Sequence, residues 1–220
     1  MMFRSAFKLV AIATLGATAS AASAATLVFS GGTGGLTVGQ TDYANFNAGP
    51  GGTFGTVATT GTAGLFTGSA PGVSAEPAFG DQGDRYFYVS GGGSALFTFG
   101  TTVSQFGFDL GSADDYNTVE VIFSTGPSQF FSGIQLNPPG PATGNQSIPG
   151  TNGRVTIFGA SGQSIVGARF ISGQPSFEFD NIGIVAVPEP SAWALMILGF
   201  GFVGGALRRS RPARMAARLV

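Results

Sequence analysis

The sequence predicts an all-β sandwich set between two apolar terminal segments. Three observations predict it. Short runs of Phe, Val, Ile and Thr alternate with Gly, Ser, Asn and Pro along the middle of the chain, which is the rhythm of strands and turns. The 220 residues include 37 Gly and 21 Phe, so turn formers and core formers are both plentiful. No apolar stretch between residues 31 and 186 keeps helical spacing.

The elements follow in order. Arg4 and Lys8 precede an apolar run, Leu9 to Ala19, too short to span a bilayer. Ala22-Ser23-Ala24 then supplies the small-residue pattern of a signal-peptidase site, so residues 1–24 read as a signal peptide, with a short helix and cleavage after Ala24. Residues 25–186 form the exported domain. Its expected strands are Thr26–Ser30, Phe54–Thr59, Gly64–Thr67, Tyr86–Ser90, Ala95–Phe99, Val103–Leu110, Val119–Phe123, Gly133–Leu136, Arg154–Phe158, Ile165–Ile171 and Ser176–Val185. Gly91-Gly92-Gly93 reads as the loop of a hairpin. Gly31–Gly52 and Asn137–Gly153 read as long loops, the second exposed and the first poorly ordered. Phe106, Phe108 and Leu110 on one strand, and Phe177 and Phe179 on another, are core candidates.

Ser191 to Leu207 carries no charge over 17 residues. As a helix it would cover roughly 25 Å, the lower limit for a transmembrane span. Trp193 would sit at one interface, and Arg208, Arg209 and Arg211 would stop the tail on the cytoplasmic side. Residues 187–214 therefore read as a sorting and anchor segment, with 215–220 as a tail.

Composition narrows the chemistry. Residues 25–187 hold ten acids and three bases, a net charge of −7 hidden by the chain's overall −1. Such a surface excludes nucleic acid as a partner. There is no His and no Cys. Disulfides, nitrogen–sulfur zinc sites and Ser–His or Cys–His nucleophiles are thereby excluded. The one Lys, Lys8, lies in the signal peptide, so the domain has no lysine for a Schiff base. Paired carboxylates and oxygen-ligand metals remain. The sequence implies no cofactor beyond a candidate structural calcium.

The carboxylates form three groups: Asp81 with Asp84, Asp114 with Asp115, and Glu178 with Asp180. Glu178 and Asp180 are two apart on a strand and share a face, on which Ile182 and Ile184 are also expected. A carboxylate at the rim of a core needs an arginine, backbone amides or a cation. Asp180 with Asn181 is the candidate calcium site. Asp114-Asp115-Tyr116-Asn117 is either a ligand-touching loop or a turn in which Asp and Asn cap their own backbone. Glu120 and Glu178 are the best available pair for a glycosidase, although no Trp stands in the exported domain to line a sugar cleft. The expectation is a non-enzyme.

Pro188-Glu189-Pro190, then Trp193-Ala194, Gly199-Phe200-Gly201 and the arginines, resemble the PEP-CTERM sorting domain in its Trp-Ala form. The resemblance covers about 187–214; the extension Pro212 to Val220 departs from it. It implies recognition by an exosortase, passage through the inner membrane of a Gram-negative bacterium, transient anchoring, and release to the cell surface or an extracellular matrix. Tyr86–Phe99, Phe106–Val119 and Ser176–Ile182 are also similar to ectodomains often joined to this signal, over about 80–187. Those relatives usually carry an aromatic pair where Phe108-Asp109 stands here. This second resemblance implies a jelly-roll-like sandwich with no assigned activity. The functional expectation is a structural or adhesive surface protein of a biofilm matrix. A calcium-dependent binder of extracellular polysaccharide is the alternative, and a carboxylate-based glycoside hydrolase a lesser one.

Overall fold

The computed structural model describes residues 24–47, 55–80, 83–138, 140–188 and 190–209. The signal-peptide expectation, Asp81, Glu189, Arg211 and the tail lie outside these residues. Eleven strands form in chain order: β1 (Thr26–Gly31), β2 (Thr41–Ala44), β3 (Thr56–Thr60), β4 (Ala63–Thr67), β5 (Arg85–Val89), β6 (Gly93–Leu110), β7 (Asn117–Phe123), β8 (Gln129–Ser132), β9 (Gly153–Phe158), β10 (Ile165–Ser172) and β11 (Phe177–Ala186). Among the described residues two helices join them: α1 (Gly133–Leu136) and α2 (Pro190–Arg209).

β6 organises the sandwich. Its first half pairs with β3 and β10, and its second half with β9 and β11. Gly100, between the halves, adopts φ +67°, a conformation glycine takes without strain. One leaf is therefore β3-β6-β10-β7-β8, and the other β1-β9-β6-β11, with β2 and β5 both along the far side of β11 and β4 beyond β5. Every pairing is antiparallel. The all-β, sandwich-like expectation holds.

The core is aromatic. Phe170 of β10 stacks on Phe179 of β11, with ring centroids 3.8 Å apart and planes 13° apart. Phe97 meets both edge-on, and Phe108 stands 4.9 Å from Phe170 at 87°. Such pairs add about 0.5–1.5 kcal/mol each beyond area burial. Phe106, Phe108, Leu110, Phe177 and Phe179 are all core residues.

Four expectations are corrected. Gly91-Gly92-Gly93 does not close a hairpin, because β11 lies between β5 and β6; the glycines carry the chain from one leaf to the other. Gly133–Leu136 is helical rather than extended. Ser132 and Gln135 form a capping box that starts the turn, and the strand lies just before it, as β8. Residues 31–52 contain β2, which pairs with β11, and Phe46 packs 5.4 Å from Phe87. The loop 137–152 is tied down: Asn137, Thr151 and Asn152 are buried, and Gly144 N–H donates to the Ala113 carbonyl at 2.8 Å.

The face of β11 also differs from expectation. Asp180 pairs with Asp109 but Gly183 pairs with Gly107, so β11 carries one extra residue between them. Asn181, at φ +49°, sits in this bulge. The bulge inverts the alternation. Ile182 and Ile184 consequently join Phe177 and Phe179 in the core instead of sharing the face of Glu178 and Asp180.

Candidate functional site

The bulge leaves a polar face on β11 and β6 that is covered by loops, not by solvent. Asp109, Arg154, Glu178 and Asp180 are all buried there. They divide into two clusters.

In the first, Arg154 Nη1 donates to Asp109 Oδ1 at 2.9 Å and to the Asn181 carbonyl at 2.6 Å, while Nη2 donates to Gln40 Oε1 at 2.6 Å. Asp109 Oδ2 accepts from Gly35 N–H at 2.7 Å and from Asn181 Nδ2 at 2.9 Å. Neighbouring β6 and β9 put Asp109 and Arg154 directly opposite. Gly107 and Gly183 make room for them, since a Cβ at either would press on Gln40 and Arg154. Burial pushes the Asp109 carboxyl pKa up and that of the Arg154 guanidinium down, each opposed chiefly by the charge of the other. Asp180 Oδ1 accepts from Asn181 N–H at 2.7 Å, and its charge acts on Arg154. Asn181, one of the two residues of the candidate calcium site, thus serves an internal cation. Among the described residues no group of three or more carboxylates stands together to hold a metal.

The second cluster lines a cleft of about 290 Å³ at the other end of the same face. Glu178 Oε1 accepts from Ala75 N–H at 2.8 Å, from Ser74 Oγ at 3.3 Å, and from Ser176 Oγ. The Tyr86 hydroxyl donates to the Gly68 carbonyl at 2.7 Å and lies 2.9 Å from Ser74 Oγ; burial pushes its pKa up to about 12. Asp114 and Tyr116 line the same cleft. Asn117 N–H donates to the Asp114 carbonyl at 3.1 Å, which closes a turn. Within that turn the roles separate. Asp115 is exposed, and Asn117 is buried, its Oδ1 accepting from Ser172 Oγ at 3.0 Å. Asp114 is buried and its Oδ2 accepts from Ser112 Oγ at 3.1 Å. Burial raises the carboxyl pKa of both Asp114 and Glu178, and the Asp114 charge adds to the rise at Glu178.

The structure does not gather Glu120 into this cleft. Glu120 lies on β7, in the other leaf, with Arg169 Nε 3.0 Å from its Oε2. The carboxylate that accompanies Glu178 is Asp114. Sequence reasoning missed this partnership because 64 residues separate the two and neither marks the other.

The raised values have a consequence with a definite sign. A carboxyl whose folded pKa lies above its unfolded one stabilises the fold fully below the unfolded value, and that stability is lost as pH rises through the folded value. The ectodomain is therefore expected to melt highest in mild acid and progressively lower toward neutral pH. Glu178→Gln should flatten part of that slope, as thermal melts across the range would register. A profile rising from pH 5 to pH 7 would contradict it.

At the C-terminus, β11 ends at Ala186, and Val187 N–H donates to the Thr102 carbonyl at 2.9 Å. Pro188 follows, exposed, and α2 starts at Pro190. The described side chains of α2, from Trp193 to Arg209, are exposed all round; Leu195, Met196, Ile197 and Leu198 alone cover a full turn. Arg208 and Arg209 close its last turn. The expected helix is present, but among the described residues no helix is long and apolar enough to cross a membrane. The uncharged run is short, and Gly199, Gly201, Gly204 and Gly205 dilute it. No curated protein and no solved structure matches the chain. One family description does match, over residues 186–211, so the strand end, the proline pair, the apolar helix and its arginines together are a PEP-CTERM protein-sorting motif.

Proposed function

We propose that the chain is an exported, exosortase-sorted surface or matrix protein whose ectodomain has a non-enzymatic, structural or adhesive role. The observation that carries the sorting half is the motif at 186–211. A helix apolar on every side has no place in water and needs lipid or protein around it. α2, with Arg208 and Arg209 at its end, is the segment we assign to transient membrane contact; short and diluted by glycine, it falls below what a stable span needs. The test is mass spectrometry of both ends of the mature protein from a producing cell. The expected product begins at Ala25 and ends near Pro188–Pro190. A full-length chain recovered from cytosol would defeat the reading.

The ectodomain's composition supports a role without catalysis: it has no His, Cys or Lys, and Glu120 and Glu178 lie on different leaves. A second reading rests on the cleft. Two buried carboxylates and the hydroxyls of Ser74, Ser112, Ser176 and Tyr116 surround a space of the order of one sugar ring. Carboxylates accept hydrogen bonds from vicinal hydroxyls, and their charge disfavours an anionic glycan. The ligand class is a neutral polysaccharide unit, and calcium is dispensable because Arg154 already supplies the cation beside Asp180. A glycan array run with and without calcium tests this. Calcium-independent binding that Asp114→Asn and Tyr116→Phe both weaken is expected; no binding in either condition ends the reading.

A further inference from the structure

We propose that the end of β11 must unzip before the sorting motif can be processed, so that the strength of this one strand end sets how fast the protein leaves its anchor. The inference rests on the sorting reading above and concerns the substrate side of that event.

The geometry leaves no spacer. Val185 is paired with Gln105, and Ala186 with Val103. The Val185 carbonyl accepts from Ser104 Oγ at 3.3 Å, and Val187 N–H is committed to Thr102 at 2.9 Å. Pro188, the first residue of the Pro-Glu-Pro triplet, itself lines a groove with Thr98, Thr102, Val166 and Val187. From Val187 to the first residue of α2 the chain advances three positions, about 10 Å when fully extended. A processing enzyme that reads an extended segment pairs with its backbone on several successive residues. On the helical side those residues are in α2, and on the other side they are already in the sheet.

The strand end is built to yield. A register irregularity separates Val185 from Ala186, and Ala186 is exposed. Pro188 and Pro190 have no N–H and cannot extend the ladder. Fraying from this end releases the Val187 bond to Thr102 and the last pairings of β11 with β6 while Ile182 and Ile184 stay in the core, so the opening is local, not global.

The experiment uses the full chain, expressed with the processing enzyme in a membrane host, and follows precursor and shortened product by mass over time. In one variant a six-residue Gly-Ser spacer is inserted between Val187 and Pro188. In a second, Val185→Cys and Gln105→Cys are combined. Directly opposed strand residues have the Cα separation a disulfide requires, and the chain has no other Cys to compete. A third variant carries both changes. The expected result is faster processing with the spacer, processing slowed about tenfold or more by the lock, because a closed disulfide forbids the local opening, and recovery when the lock is reduced or when the spacer is added. Equal rates in wild type, spacer and locked forms would overturn the inference and leave the sorting reading intact. Absence of processing in every form, wild type included, would overturn both.

Discussion

Arg154→Met is expected to destabilise the ectodomain by about 3–5 kcal/mol, because removing one partner of a buried ion pair strands the other. Asp109 has no exposure at all, and among the described residues it would keep Gly35 N–H and the Asn181 amide without the guanidinium. The substitution would also remove the bonds that Arg154 makes to the Asn181 carbonyl and to Gln40 Oε1, and so loosen the segment that covers this face. The pair itself is no bargain relative to apolar packing, since burial already opposes both charges. Hence Asp109→Leu combined with Arg154→Met should recover much of the loss, as replacements of buried ion pairs by apolar groups of similar volume often do. Urea unfolding of the two single variants and the double variant gives the coupling directly. A loss below about 1 kcal/mol for Arg154→Met, the value of an exposed pair, would show that water reaches the cluster.

Replacing Pro188, Glu189 and Pro190 together by Ala is expected to abolish release while leaving the fold intact. The prolines interrupt the strand-to-helix junction, and alanines would let helix and sheet run toward each other. Glu189 is the one acid between the sheet and the arginines. The uncut precursor should accumulate in the membrane fraction, with a melting temperature close to that of the wild-type domain. Normal release from this variant would mean that the match at 186–211 does not direct processing. Deleting Arg208 and Arg209 is expected to separate anchoring from recognition, because it would remove the proposed positive stop without touching the prolines.

Most of the strands were legible because Phe and β-branched runs between glycines leave few alternatives. The others are places where local chemistry and tertiary context disagree. Gly133–Leu136 looks apolar and extended, yet the Ser132–Gln135 capping box beside it was a readable sign of a helical turn. Thr41–Ala44 is too short and polar to stand out, and becomes a strand because β11 offers it an edge. The bulge at Asn181 was invisible, since nothing in Asp180-Asn181-Ile182 announces an extra residue. That single residue moved Ile182 and Ile184 into the core and left Asp180 facing Arg154. Asp109 was read only as a departure from a pattern, although Arg154, its partner, is one of just three bases in the domain. The sorting segment was readable in full because its parts adjoin in sequence, whereas the cleft joins residues from four separate stretches.

The pairing of the first strands carries a consequence for biogenesis. Among the described residues β1 pairs with β9 and β2 with β11, so residues 26–44 have no strand partner until nearly the whole domain has been made, whereas β3 and β4 meet theirs much earlier. The first strands of such a chain are expected to stay undocked while the rest is being made. Truncation after residue 150 should then leave residues 26–44 open to protease, whereas the completed domain would protect them. On the sorting reading, the late-arriving strands would act as a timer that postpones the docking of residues 26–44 until β9 and β11 have emerged.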